Sequence, residues 1–299
     1  MHAVGVNGCP DGGDDLDLAL AHMFADDNLK QQLKLSSVNS INWCRVMFQA
    51  VHYFYGYFRV VDRMGEEIVF SVPSGAFGNL FGGYLARTMG LPVKTYICAN
   101  NQNATLHRAL STGRLTKKDL KPTVSSAIDI VVPYNFWRYL YFASGRNHDK
   151  IRQWMDEFQR KGSVQFDKQT ADKIQQGFVS ASITDEQTLS TIAEVYRSQD
   201  GYLLDPHAAV AVAAADKFSN TFAPDTKIVC LATAHAAKFP DVIRKALTVD
   251  DELPKQAVHK SIEAAKDLCR HVRLCDCTNL APALTHAMQS VTKYRTAPK

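Results

Sequence analysis

Ile68-Val69-Phe70-Ser71-Val72-Pro73-Ser74-Gly75-Ala76-Phe77-Gly78-Asn79 is the stretch on which the reading of the fold turns. Its first five residues are a β-branched and aromatic run of strand character, and the glycines at 75 and 78 break that run. From Leu80 to Met89 the spacing becomes helical, and a second apolar run follows, Val93-Lys94-Thr95-Tyr96-Ile97-Cys98. Strand, turn, helix and strand in that order predict a right-handed parallel crossover. The turn has chemistry suited to an anion. Glycine lets the backbone approach closely, Ser74 offers a hydroxyl, and the following helix aims unpaired N–H groups and its positive dipole end at the loop. The same spacing also suits an ordinary tight strand-to-helix turn. Neither GxGxxG nor a P-loop ending in GK[ST] is present, so dinucleotide and nucleoside-triphosphate sites lose their main support.

Working outward, Ala127 to Val132 and Lys227 to Ala232 read as further strands. Ile151 to Gln159, Thr170 to Phe178, Glu186 to Arg197 and His207 to Phe218 read as helices. Ile41 to Phe58 is apolar on nearly every side and predicts a helix buried in a larger body. Alternating elements of this kind predict an α/β fold of three layers, with a mainly parallel twisted sheet covered on both faces. Met1 to Gly13 has too few apolar residues to bury and reads as a loop or frayed end, with a helical pattern from Asp14 onward.

Composition excludes several classes. A chain of 299 residues, 46% apolar, can bury a sizeable core as one large domain or two moderate ones. The net charge is only +4 and the basic residues lie among acids, so no phosphate-backbone footprint and no nucleic-acid partner are expected. No apolar run approaches the roughly 18 residues of a membrane span, and Met1 to Asp17 lacks a signal-peptide pattern, so no membrane partner and a cytoplasmic location are expected. Seven cysteines, with Cys44, Cys98 and Cys230 inside apolar segments, suit a reducing compartment. Cys269, His271, Cys275 and Cys277 lack the usual Cys-x2-Cys spacing, and no metal site is expected there.

Four ordered motifs then carry a resemblance: Ser37-Val38-Asn39-Ser40-Ile41-Asn42-Trp43, the loop at 73 to 79, Pro206-His207-Ala208-Ala209-Val210, and Ala232-Thr233-Ala234-His235-Ala236-Ala237-Lys238-Phe239. In that order they resemble threonine synthase, from the first helices to about residue 245. The resemblance implies the tryptophan-synthase-β-like fold (fold type II), pyridoxal 5'-phosphate as cofactor, and conversion of O-phospho-L-homoserine and water to L-threonine and phosphate. It implies that Ser74, Gly75, Ala76, Phe77, Gly78 and Asn79 hold the cofactor's phosphate. Thr233 would face the pyridine nitrogen, where a neutral hydroxyl tunes the ring differently from a carboxylate. It further implies that Asn39, Ser40 and Arg45 contact a small phosphorylated amino-acid substrate, for which arginine's bidentate fork is suited. Other roles stay open: Thr233 as a strand-ending β-branched residue, and Asn39 or Ser40 as the cap of the helix near Ile41. His207 and His235 read as core histidines, and Asp129 and Asn135 as loop anchors or supports behind the site.

The pattern also departs from the family. The lysine that holds the cofactor lies, by resemblance, well before Asn39 in a Phe-Lys-Asp-like context, and nothing like it occurs in Met1 to Leu35, where Lys30 and Lys34 look like surface helix residues. The catalytic lysine is therefore expected to be absent, the N-terminal part of the fold to be missing, and the chain as given to be inactive. Residues 1–43 are expected to be a remnant of the smaller domain and 44–299 the large cofactor-binding domain, with exposed edges and apolar faces left behind. Ala76, Asn79, Ala104 and Ala236 stand where the family usually has asparagine, aspartate, aspartate and proline. A threonine-synthase-like phospho-lyase and a noncatalytic phosphate- or cofactor-binding paralogue remain alternatives, and the oligomeric state is expected to be monomer or homodimer.

Overall fold

The structure, a computed structural model, describes residues 2–10, 12–249, 252–269 and 271–296. In chain order the elements are β1 (His2–Asn7), α1 (Gly13–Ala25), α2 (Asp27–Leu33), α3 (Trp43–Val60), β2 (Ile68–Pro73), α4 (Gly78–Thr88), β3 (Val93–Asn100) and α5 (Thr105–Thr112). There follow β4 (Arg114–Thr116), α6 (Phe136–Ala143), α7 (His148–Lys161), β5 (Ser163–Gln165), α8 (Lys168–Gly177), β6 (Phe178–Ser182), α9 (Asp185–Ser198) and α10 (Pro206–Phe218). The last are β7 (Ile228–Cys230), α11 (Pro240–Leu247), α12 (Lys260–Lys266), β8 (His271–Asp276) and α13 (Leu280–Thr296). The chain falls into two compact units, Asn39–Glu263 and a second made of Met1–Val38 together with Ala264–Lys299.

In the larger unit β6, β3, β2 and β7 form one sheet in that order, every pair parallel. Both faces are covered, which is why β2 and β3 read as continuous apolar runs. Phe70, Val72, Tyr96 and Cys98 pack with Val46, Tyr53, Leu80 and Phe81 of α3 and α4. Val69, Ile97 and Ala99 point the opposite way, onto Val210, Ala211 and Ala214 of α10. Alanine on that helix lets its backbone lie close to the sheet; Ala211 O accepts a hydrogen bond from the buried Ser71 hydroxyl at 2.6 Å. The α/β class with a covered parallel sheet stands as expected.

Four local expectations are corrected. Ala127 to Val132 is not a strand: a short 3-10 turn occupies Ser126–Ile128. The Asp129 carboxylate there accepts from Thr123 N–H at 2.9 Å, Thr123 Oγ1 at 2.7 Å and Asn101 Nδ2 at 2.7 Å, and these local bonds hold the chain in a loop. Met1 to Gly13 is not only a loop, because β1 pairs in parallel with β8, from His2 opposite His271 to Asn7 opposite Asp276. Such a partner, so distant in sequence, leaves no local signal. Within the larger unit α3 is buried along one stripe only: Val46, Ala50, Tyr53 and Tyr57 are inside, whereas Phe48, Val51 and Tyr55 are 67%, 61% and 61% exposed. Of the cysteines read above as lying inside apolar segments, Cys98 is buried and Cys230 half-buried, but Cys44 is exposed. Ala264 to Lys299 group with Met1–Val38 in the second unit, and the larger unit begins at Asn39. Among the described residues no helix is long and apolar enough to cross a membrane.

Candidate functional site

Parallel strands put all their C-terminal ends at one edge of the sheet, the edge where open α/β sheets hold ligands. From that edge of the larger unit emerge the loop after β2, the asparagine-rich stretch Asn100 to Asn103 after β3, and the segment from Leu231 after β7, whose first N–H bonds Ser71 O. The loop after β2 is built tightly. A Cβ on Gly75 would stand 2.9 Å from Ile128 O, and one on Gly78 would stand 3.0 Å from Asn135 Nδ2 and 3.1 Å from Ser40 Cβ, so both glycines are required by close neighbours. Phe77 holds a left-handed φ of 68°, at a cost of about 1–2 kcal/mol, while its ring is buried against Phe136, Tyr139 and Phe178. That anchored ring is what keeps the backbone in its strained turn.

Two features make the loop receptive to an anion. No side chain caps α4, so the amides of its first turn face the loop with the helix's positive end. Ser74 is 4% exposed, and its hydroxyl oxygen has no hydrogen-bond partner in good geometry. It does stand close enough to the Cys98 thiol to oppose the upward push that burial gives that group. A buried hydroxyl without a strong partner beside an uncapped helix start fits a phosphate oxygen, since an unmade bond of this kind is costly unless a ligand completes it.

Asn39 and Ser40 are brought to the same place. Asn135, fully buried, donates from its backbone N–H to Ala76 O at 3.1 Å and from Nδ2 to Ser40 Oγ at 3.0 Å, tying loop and serine together. Arg138 donates to Ser40 O at 2.7 Å, Ile41 O at 2.8 Å and Asn135 Oδ1 at 2.7 Å, with its guanidinium 5.8 Å from the centre of the Trp43 ring. The Tyr134 hydroxyl donates to Asn39 Oδ1 at 3.0 Å and lies 2.9 Å from Ser40 Oγ. Tyr134 and Arg138 were not legible in the sequence as site residues. They lie almost a hundred positions from Ser40, beyond the reach of any local pattern. The helix cap at the start of α3 is neither Asn39 nor Ser40 but Asn42, whose Oδ1 accepts from Cys44 N–H at 3.0 Å.

The remaining sequence candidates are placed less closely. Asn79, half-buried in the first turn of α4, accepts at Oδ1 from the Tyr53 hydroxyl at 3.0 Å and lies 3.0 Å from His52 Nε2. Thr233 is exposed, three residues beyond the end of β7 and not within the strand. Arg45 is exposed in the first turn of α3. His207 is buried as expected, with Nε2 accepting from Ala127 N–H at 3.0 Å and Nδ1 2.8 Å from Asp205 Oδ1, whereas His235 is exposed.

A family profile described as threonine synthase, C-terminal, matches residues 208–276. The chain is 40% identical to the threonine synthase of Pseudomonas aeruginosa over 246 residues, covering 82% of this chain and 51% of that protein. The chain belongs to the threonine synthase family. It is also 36% identical to threonine synthase-like 2 of Xenopus laevis over 277 residues, 91% of this chain and 56% of that protein. The solved pyridoxal-phosphate-bound threonine synthase of Brucella melitensis is similar with a TM-score of 0.81 and 32% identity, covering 97% of this chain and 59% of that one. The fold is therefore the fold type II arrangement that the sequence motifs implied. The chain spans about half the length of the curated relatives it matches.

Proposed function

We propose that the chain supplies the cofactor-phosphate and substrate contacts of a cytoplasmic, pyridoxal-phosphate-dependent threonine synthase, a carbon–oxygen lyase that converts O-phospho-L-homoserine and water to L-threonine and phosphate. The observation that carries the reading is the buried Ser74 hydroxyl, with no hydrogen-bond partner in good geometry, at the uncapped start of α4. Ser74 and the first-turn amides of α4 would hold the cofactor's phosphate, and Gly75 to Asn79 would shape the cradle. When bound, the cofactor supplies an electron sink beside the substrate's α-carbon. Thr233 would meet the ring nitrogen with a neutral hydroxyl. Asn39, Ser40 and Arg45 would hold the substrate, with Tyr134, Asn135 and Arg138 fixing the first two in place. No lysine in the family's context occurs in these residues, so the chain alone is proposed to bind the cofactor without turning over substrate. The segment 1–43 is proposed to belong to the smaller domain of the whole protein, and 44–299 to the large cofactor-binding domain.

Similar identity to threonine synthase-like 2 favours one second reading, a phospho-lyase that releases phosphate from a related O-phospho-amino acid. In a lysine-bearing full-length protein, phosphate released with threonine supports the first, and phosphate released with an oxo acid supports the second.

The phosphate site itself is tested on the chain as it stands, by quenching of tryptophan fluorescence. Pyridoxal phosphate is expected to bind and pyridoxal, which lacks the phosphate, is not. Ser74→Ala is expected to weaken binding about tenfold, the worth of one hydrogen bond to a charged group, while melting at the same temperature or higher because it deletes a buried unpaired hydroxyl. Equal binding of pyridoxal and its phosphate, or an unchanged affinity in Ser74→Ala, would refute the assignment.

A further inference from the structure

Outside the site described above, the smaller unit holds a pair of thiols with geometry of its own. Cys9 and Cys277 lie just beyond the C-terminal ends of the parallel pair β1 and β8, whose last matched residues are Asn7 and Asp276. Parallel pairing carries the chain past both ends in the same direction, and it brings residues 268 positions apart together. Their sulfurs stand 2.7 Å apart. That separation is well inside ordinary non-bonded contact, about 3.5–4.0 Å between heavy atoms, and lies between it and the roughly 2.05 Å of a sulfur–sulfur bond.

We propose that Cys9 and Cys277 form an oxidant-dependent disulfide that clips the N-terminal strand of this unit to its C-terminal segment. The oxidant is a low-molecular-weight disulfide. One protein thiolate attacks it, releasing one small thiol and leaving a mixed disulfide. The other protein thiol then attacks the protein sulfur of that mixed disulfide, releasing the second small thiol. Two protons and two electrons leave the protein pair, one sulfur–sulfur bond forms, and the oxidant is reduced to two thiols. Both cysteines are half-buried, so small reagents reach them while the fold holds them in register. The bond closes nearly the whole chain into a loop, the arrangement in which a cross-link most restricts the unfolded ensemble.

Asp15 completes a group of three possible ligands with the two thiols, all ligand atoms within 4.8 Å of one another. A tetrahedral zinc site would hold its two sulfurs about 3.7 Å apart, given Zn–S bonds near 2.3 Å, so it would have to spread this pair, whereas a disulfide has only to draw it slightly closer. Next to a carboxylate, joining the thiols also removes the possibility of a thiolate facing Asp15. The hydrogen bond to Cys277, then burial and, less strongly, the Asp15 carboxylate push Cys9 up to about 11.

The test uses the full chain, incubated with oxidised glutathione, alkylated and digested for mass spectrometry. The expected result is one peptide pair joined through Cys9 and Cys277, with two of the seven cysteines lost to alkylation and recovered after dithiothreitol. In urea the selective pairing is expected to disappear. Cys275→Ser is expected to keep the link, and Cys277→Ser to leave Cys9 as a glutathione adduct. The oxidised chain should also melt several degrees higher than the reduced one. Stable glutathione adducts on both cysteines of the unsubstituted chain, a link from Cys9 to Cys269 or Cys275, or protection of both thiols by added zinc with no cross-link would each overturn the proposal.

Discussion

Asn79 sits in the first turn of α4 where the family usually has aspartate, and its neighbours explain what an amide does there. Its carbonyl oxygen accepts from Tyr53 and lies 3.0 Å from His52 Nε2, so that nitrogen carries the proton and donates. Burial holds the His52 imidazole below its ordinary value of 6.5, partly opposed by this bond, and burial likewise lowers His107. The sign follows directly: a histidine harder to protonate when folded contributes stability above the unfolded value, and that contribution is lost as pH falls from about 6.5 through the folded value. The urea midpoint is therefore expected to drop between pH 7.5 and 5.5. His52→Gln, which keeps a donor for Asn79, is expected to drop less. An aspartate at 79 would place a negative charge beside the imidazole, so Asn79→Asp is expected to raise the His52 titration by about one unit or more in an NMR pH series. No shift in that series would remove the electrostatic account of this position. Ala104, another departure from the family's aspartate, has a left-handed φ of 53° and caps α5 with no side-chain bond, a place where aspartate or asparagine would be at ease and alanine is strained.

At the scale of elements, α3 is where the sequence pattern and the packing part company. Apolar residues on nearly every side predicted burial all round, yet within the larger unit only the stripe of Val46, Ala50, Tyr53 and Tyr57 is covered. Phe48, Val51 and Tyr55 form an exposed band of the kind that marks an interface or an aggregation liability. The double substitution Phe48→Lys with Val51→Glu is expected to reduce light scattering and raise the soluble fraction severalfold, with little change in melting temperature because surface exchanges move stability by about 0.5 kcal/mol or less. A large drop in melting temperature would mean that the band is packed in solution. By contrast, β2 and α4 are legible from their residues alone, since β-branched runs, paired glycines and helical spacing all act locally.

For the molecule as a whole, the two units differ in how well their strands are protected. β2 and β3 each have a strand on both sides and helices on both faces, whereas among the described residues β1 and β8 pair only with each other and β8 is largely exposed. A two-stranded pair is marginal without further support. In native-state hydrogen exchange the amides of Val72 and Ile97 are expected to outlast those of Val4 and Val272 by about two orders of magnitude or more. Comparable protection would show the smaller unit to be as cooperative as the larger. The sequence by itself determined the covered parallel sheet, the loop from Ser74 to Asn79 and the family motifs, because strand propensity, glycine turns and helix starts are set by neighbouring residues. Only the tertiary structure decided that Asn135 joins Ala76 to Ser40, that Tyr134 and Arg138 hold Asn39 and Ser40, and that β8 returns to β1 and brings Cys277 to Cys9. Those contacts join residues roughly sixty to almost 270 positions apart, and what selects them is the closure of the chain around its core, a free-energy balance that no short window of sequence contains.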